Sequence, residues 1–571
     1  MHPDDWRTPF EAGNGDQTTT WEACIDFYTR LAAAHPARLR FGPIGTSDAG
    51  TTIHAGMVCT GGVDQASSPQ GHGRPVLFIN NGIHPGEPEG IDACMSLVRD
   101  ICLGADPRHW LGDVVLVFLP VYNVDGMRNR GNTSRVNQCG PEAFGFRGNG
   151  RHLDLNRDFI KSASLEAQTF HAFFRQWDPD VMVDTHTSNG ADYQHVMTLI
   201  ATQPDKLGGR CRDHLRHTML PKLYAGMEAR GFPMCPYVNP VRQIPDDGIA
   251  DFPDTPRFST GYAALHHTIG FMPETHMLKP YPDRVASMRA LLDVVLACVV
   301  EDGATIQQHR AADRAAFSAA QRAPLRWALD DSQASSFRFH GYRAEFLPSK
   351  IGLWQRLRYD RQSPWERDIP YFDRCRPVAD AALPRAYLLP QAWREVAERL
   401  ERNGVRLLPL AADRLVQVEA WHLSPPDKHA QPFEGQHLHG RICLAARPLQ
   451  HPARAGDWLI PLGTPHDRFA FETLEPDGAD SFYRWGFFDA VLDRKETFSD
   501  YLFEDEAERL LLAEPALRAS FNDWVRADPQ RLHDGAACLA YIHQHAQRYR
   551  EPEWRRFPVL RIVDPTEPLV P

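Results

Sequence analysis

Apolar residues recur along this chain with two different rhythms. From Trp21 to Ala34 they fall on one helical face, through Trp21, Ile25, Phe27, Tyr28 and Leu31, and Thr20 stands ahead of them as an N-cap. Arg38–Ile44 and Thr52–Cys59 read as two antiparallel strands around the turn Ser47-Asp-Ala-Gly50. Short continuous apolar runs follow at Pro75–Asn80, Val114–Val121, Val181–Asp184 and His267–Met272, as in strands buried on both faces. Helical patterns are interleaved at Glu89–Leu103 and Asp283–Val300; helical composition continues over Ala304–Arg322 and stops at Pro324. Strands alternating with helices predict an α/β fold with a mixed, mostly parallel central sheet flanked by helices.

The polar run Asp330–Ser336 is the expected boundary. It divides the chain into an N-terminal domain over 1–325 and a smaller α+β C-terminal domain over 335–571. The latter holds a strand–helix–strand unit, Ala386–Leu389, Gln391–Arg402 and Val405–Leu408, with Asn403-Gly404 ending the helix. Strand-like runs follow at Leu415–Leu423, Arg441–Ala445 and Trp458–Leu462, then helical ones at Glu504–Leu512 and Gly535–Tyr549. Phe487, Phe488 and Tyr541 are expected in its core.

Composition narrows the function. At 571 residues, 43% of them hydrophobic, the chain has ample material for a core. A net charge of −11 argues against a broad basic surface, so no nucleic-acid partner is expected. The apolar runs are too short to span a bilayer, and no membrane partner is expected. The first residues have neither the basic nor the apolar segment of a secretion signal. The eleven cysteines include no Cys-x-x-Cys, which suits reduced thiols. The expected location is therefore cytoplasmic, or periplasmic or secreted if a leader has been removed.

One segment carries chemistry. Asn80-Asn-Gly-Ile-His84-Pro-Gly-Glu87-Pro-Glu-Gly90 lies just beyond the carboxyl end of a predicted strand, where open α/β sheets place their sites. Pro85 and Gly86 make a tight turn on which an imidazole and a carboxylate can converge on one ion, and both donor types suit Zn²⁺. His186, in Asp184-Thr-His-Thr, follows a second buried strand, and Glu274 ends a third. Asp154-Leu-Asn156-Arg157 lies between them in sequence. Asp184 is either a solvated acid or a partner orienting a ligand imidazole. The pairs His266-His267, His437/His439 and His543/His545 lack a converging acid and are expected to be exposed.

These four motifs, in this order, resemble the zinc metallocarboxypeptidases of the carboxypeptidase A type over residues 20 to 300. The resemblance implies one Zn²⁺ held by His84, Glu87 and His186, with Glu274 as general base. It implies a peptide substrate whose free C-terminal carboxylate is gripped by Asn156 and Arg157. It also implies an upstream arginine facing the oxyanion, for which Arg135 is preferred over Arg128 and Arg130. The family's mobile tyrosine has no counterpart at its usual spacing; Tyr262 is the nearest candidate. Arg257, in Pro256-Arg-Phe-Ser259, falls where the family builds its side-chain pocket; it is either a reader of an acidic C-terminal residue or an ordinary surface arginine. Two alternatives are an aspartoacylase-type amidohydrolase acting on N-acyl amino acids and an inactive peptide-binding protein on the same scaffold.

Overall fold

The computed structural model describes residues 6–59, 73–104 and 114–569. Its centre is a nine-stranded mixed sheet. In chain order the strands are β1 (Leu39–Thr46), β2 (Thr52–Val58), β3 (Val76–Asn80), β4 (Val115–Leu119), β5 (Val181–Asp184), β6 (His186–Ser188), β7 (Met197–Ala201), β8 (Cys235–Pro236) and, after β9 (Ile249–Ala250), which pairs outside this sheet with residues 371 and 372, β10 (Ile269–His276). Across the sheet the order is β1-β2-β4-β3-β5-β10-β7-β8, with β6 also pairing β10. The central strands β4, β3, β5 and β10 run parallel, and β1, β2 and β7 join antiparallel.

The apolar runs became these strands because both faces are covered. Every residue of β3, β4 and β5 is buried. Helices Trp21–Ala34, Glu89–Leu103 and Tyr281–Ser318 share one core with one face, and Leu165–Trp177 packs on the other through Phe170, Phe173 and Phe174. Thr20 caps the first helix through its side chain.

Two segments differ from expectation. Tyr281–Ser318 is one unbroken helix of 38 residues. Gly303 lets it pass Pro75 closely, since a Cβ there would strike that ring. The helix ends before Arg322, and Arg322–Leu329 is a strand, β11. The polar run Asp330–Ser336 turns the chain from β11 into β12 (Ser335–Pro348), which forms a long hairpin with β13 (Gln355–Phe372). β14 (Cys375–Ala382) returns to pair β11. The hairpin has no continuous apolar run and left no sequence signal.

The rest of the chain builds a six-stranded antiparallel sheet and several helices. Its apolar residues join those of the first sheet in one cluster, from Phe170 and Tyr262 to Val396, Phe469 and Trp485. His266, His267 and His439 are buried by this packing, and His543 by Phe498 and Phe503 in a separate helical cluster, contrary to expectation. Phe488 lies in the core as expected.

Candidate metal centre and substrate cleft

Sheet geometry brings the candidate residues together. His84 and Glu87 sit on the turn after β3, closed by a hydrogen bond from the Glu87 amide to the His84 carbonyl (2.9 Å). A Cβ on Gly86 would meet Arg135 Cδ at 2.8 Å and the Gly145 carbonyl at 3.1 Å, so the turn needs glycine there. His186 opens β6 beyond the end of β5, and the parallel register pairs it directly with Glu274 on β10. Strand ends three sequence segments apart thus face one point.

One donor atom from each of His84, Glu87 and His186 lies within 4.8 Å of the others, and all three residues are buried. The two imidazoles are arranged alike. His84 Nδ1 is 3.3 Å and His186 Nδ1 3.0 Å from Glu87 oxygens, while each Nε2 faces a second carboxylate, Asp154 Oδ1 at 2.9 Å and Asp184 Oδ2 at 3.0 Å. Carboxylates behind ligand histidines fix tautomer and ring orientation. His84 Nδ1 is buried and makes no hydrogen bond in the protein, an expense that a metal ion relieves. Two imidazoles and one carboxylate are the donor set of a catalytic zinc site. The residues present fit Zn²⁺.

The electrostatics favour a cation. Burial works against the Glu87 charge, but Arg135 and His84 hold its carboxyl well below the usual range. Asp154 is likewise held low against burial by His84, Arg147 and Arg157. Glu274 goes the other way: burial, then the neighbouring Glu87, pushes its carboxyl well above the usual range despite His186.

The centre opens into a cavity of about 280 Å³. Glu274, Arg135, Arg147, Asn156 and Arg157 line it with the three metal-site residues. The rest of the wall is largely apolar and aromatic, from Ile200, Tyr237, Phe252, Phe258 and Met272. Asn156 accepts the Ser259 amide through Oδ1 (3.1 Å), and Arg157 lies 4.5 Å over the Phe258 ring.

Residues 24–192 match the family model described as zinc carboxypeptidase. Over that stretch the chain is similar to the zinc carboxypeptidases. Carboxypeptidase 2 of Trichophyton equinum is 21% identical over 435 residues, covering 72% of this chain and 73% of that protein. Carboxypeptidase 2 of Trichophyton rubrum is 22% identical over 436 residues, with the same coverage. A metallo-carboxypeptidase from Pseudomonas aeruginosa aligns in structure with a TM-score of 0.36 and 16% identity, over 49% of this chain and 69% of that one.

Two sequence expectations need correction. Arg257 does not line the cavity. Its side chain pairs with the buried Asp480 (Nη2–Oδ1 2.6 Å) and lies 5.0 Å over Trp485, both contributed by the C-terminal region. Tyr262 is fully buried; its hydroxyl donates to Asn403 Oδ1 (2.6 Å) and its ring stacks on His171, so it cannot touch substrate.

The arginines also sort differently. Arg128 lies over Trp21, and Arg130 is spent on the carbonyls of Thr19 and Ala143. Arg135 is in the cleft wall but engaged on three sides, with Gln138, Glu87 and the Thr187 carbonyl. Arg147, which sequence reasoning passed over, bonds Glu87 (3.1 Å) and Asp154 (3.0 Å) with 44% of its side chain exposed. Glu89 is buried against Arg284 and Thr187, away from the cavity. Tyr237, farther from Glu274 in sequence than Tyr262, is the tyrosine that belongs to the cavity wall.

Proposed function

We propose that the protein is a zinc-dependent carboxypeptidase that cleaves the C-terminal peptide bond of peptides ending in an apolar residue. The observation that carries this reading is one cavity with a two-histidine, one-glutamate cluster and a buried free carboxylate at one end, and an Asn–Arg pair beside an apolar wall at the other.

His84, Glu87 and His186 would hold the metal, which would supply Lewis-acid polarisation of the scissile carbonyl and a water acidic near neutrality. Glu274, paired in register with His186, accepts the proton of the attacking water and passes it to the leaving amine. Arg147 faces the charge that develops on the carbonyl oxygen, because its guanidinium is the more open one, whereas Arg135 is held by three partners. Arg135 positions Glu87. Arg157 and Asn156 take the substrate's terminal carboxylate, to which a planar guanidinium donates two parallel bonds. Ile200, Met272, Phe252 and Phe258 receive the terminal side chain. Arg257, bound to Asp480, is not available there to an acidic side chain.

Matched N-blocked peptides ending in Phe, Ala, Glu and Lys, each as acid and amide, test the reading. The expected result is cleavage of Phe acids first, abolished by a chelator and restored by Zn²⁺. Amides should fall about ten- to a hundredfold in kcat/KM with the loss of one charge-assisted contact. Equal cleavage of acids and amides removes the exopeptidase assignment, and turnover of N-acetyl-aspartate alone would replace it with the amidohydrolase. A preference for Glu leaves the exopeptidase standing and removes the apolar pocket.

A further inference from the structure

The hairpin of β12 and β13 has two halves. Its base is strapped to the rim of the main sheet: Gln194 donates to the carbonyls of Gly341 and Trp365, and Arg361 binds Asp192 (2.6 Å). The register then slips between Tyr342 and Arg343, and the outer half, Arg343–Pro348 paired with Gln355–Asp360, continues alone. Among the described residues no third strand pairs with it, and no core cluster includes it. A lone two-stranded ribbon is marginal in water, so an arm of this length points to a surface it meets.

The tip shows what that surface is. Ile351 and Leu353 are 87% and 108% exposed, and Trp354 and Phe346 about half exposed. The turn is built rather than loose. The Ser349 amide donates to the Trp354 carbonyl (2.8 Å), the Ile351 amide to Ser349 Oγ (3.2 Å), and the Trp354 ring lies where a Cβ on Gly352 would be. Around it stand Lys350, Arg356 and Arg358, with no acidic residue from 350 to 358, in a chain whose net charge is −11. Among the described residues, Lys350 and Arg356 pair with no carboxylate. The acids of the arm, Glu345 and Asp360, are engaged by Arg343, and Glu345 also by Arg358 (3.9 Å).

We propose that this arm docks the protein on an anionic lipid bilayer, with Ile351 and Leu353 entering the interface, Trp354 at headgroup depth and the cations on lipid phosphates. A convex apolar point ringed by cations fits a surface that is negative and yields to it. The arm also answers the problem of the acidic body. Six residues at about 3.3 Å each hold the tip roughly 20 Å out, about two Debye lengths at physiological salt, so repulsion between body and bilayer is screened. This is attachment to a membrane surface without a span.

Co-sedimentation of the full chain with phosphatidylcholine vesicles, with and without phosphatidylserine, tests this. Wild type should sediment with the phosphatidylserine vesicles alone, less so as salt rises. Ile351→Asp/Leu353→Asp should abolish binding, and Lys350→Gln/Arg356→Gln should weaken it about fivefold per cation, with unchanged thermal unfolding in both. Wild type left in the supernatant with both vesicles overturns the proposal, as does undiminished binding by the double Asp variant. A two-chain mass by light scattering that falls to one chain in that variant also overturns it, and assigns the tip to a second copy.

Discussion

The two ends of the cleft are built in different ways. At the metal end every group is delivered by backbone register: His84 and Glu87 by a glycine-dependent turn after β3, His186 and Glu274 by adjacent positions on β6 and β10. At the far end the wall comes from the connection between β7 and β10, and remote chain holds it. Asp480 takes the backbone amide of Arg257 (2.8 Å) as well as its guanidinium, and so fixes Phe258 under Arg157. Glu434 accepts the amide of Asp154 (2.9 Å), and its carbonyl accepts from Lys161 (2.8 Å). His84, Glu87, His186 and Glu274 are set by the sheet and the far wall by the C-terminal half, which also holds the Asp154 amide behind His84. Changes at the first should alter the chemical step, and changes at the second the choice of substrate.

The sharpest test of that division is Glu274→Gln. The amide keeps the size of the side chain but cannot accept the water's proton. Turnover should fall by about 10²–10⁴ while metal content stays near one zinc per chain. Near-normal turnover would place the base elsewhere. Next in size is Arg147→Gln, which removes the open cation beside the carbonyl. A loss of about 10²–10³ in kcat with little change in KM is expected. Arg135→Gln should act differently, lowering zinc affinity through Glu87. If Arg135→Gln gives the kcat loss and Arg147→Gln does not, the two roles are exchanged.

The same contrast explains what could be read from sequence. His84, Glu87, His186 and Glu274 each follow or end a short apolar run, and such runs become buried parallel strands whose ends converge. Four positions far apart in sequence therefore carried their own spatial address. Arg257 and Tyr262 carried none. Both lie in the segment leading into β10, and what decides their direction is Asp480 and Asn403, more than a hundred residues later. Spacing from Glu274 could not reveal a partner on another sheet. Arg147 was missed for a milder reason: the loop from Arg128 to Gly150 is irregular, so no period marks which of its arginines faces the cleft. A close look at Arg147 and Asn149, just ahead of the Asp154–Arg157 segment, was the available signal. The buried histidines at 266 and 267 failed for the same cause as Arg257, because the covering residues, such as Phe469, come from the C-terminal half.

A smaller effect is expected just behind the metal. Asp184 faces His186 Nε2 and also accepts from Asn80 (2.9 Å), so Asp184→Asn leaves the size of the group but removes its charge. Loss of such a partner costs about 10–100-fold in metal affinity. Zinc titration against a competing chelator measures it, and an unchanged affinity would mean that Asp184 only supports the sheet.

The smallest effect should come from the far end. Asp480→Asn retains an acceptor for the Arg257 amide but gives up the charge that holds the guanidinium. Arg257 then has only the Trp485 and Phe433 faces, at 5.0 and 5.4 Å, and can swing toward the cavity. Phe258 should shift with it, loosening the apolar wall and placing a cation nearer the terminal side chain. The ratio of Phe- to Glu-terminated peptide cleavage should fall several-fold, well short of the ~10² that a full 1 Å misplacement of reacting groups can cost. Zinc content should not change, because no metal-site residue touches Asp480. Parallel measurement of metal content and the Phe/Glu ratio therefore separates the two ends of the cleft. Loss of zinc in Asp480→Asn would show that they are one mechanical unit after all.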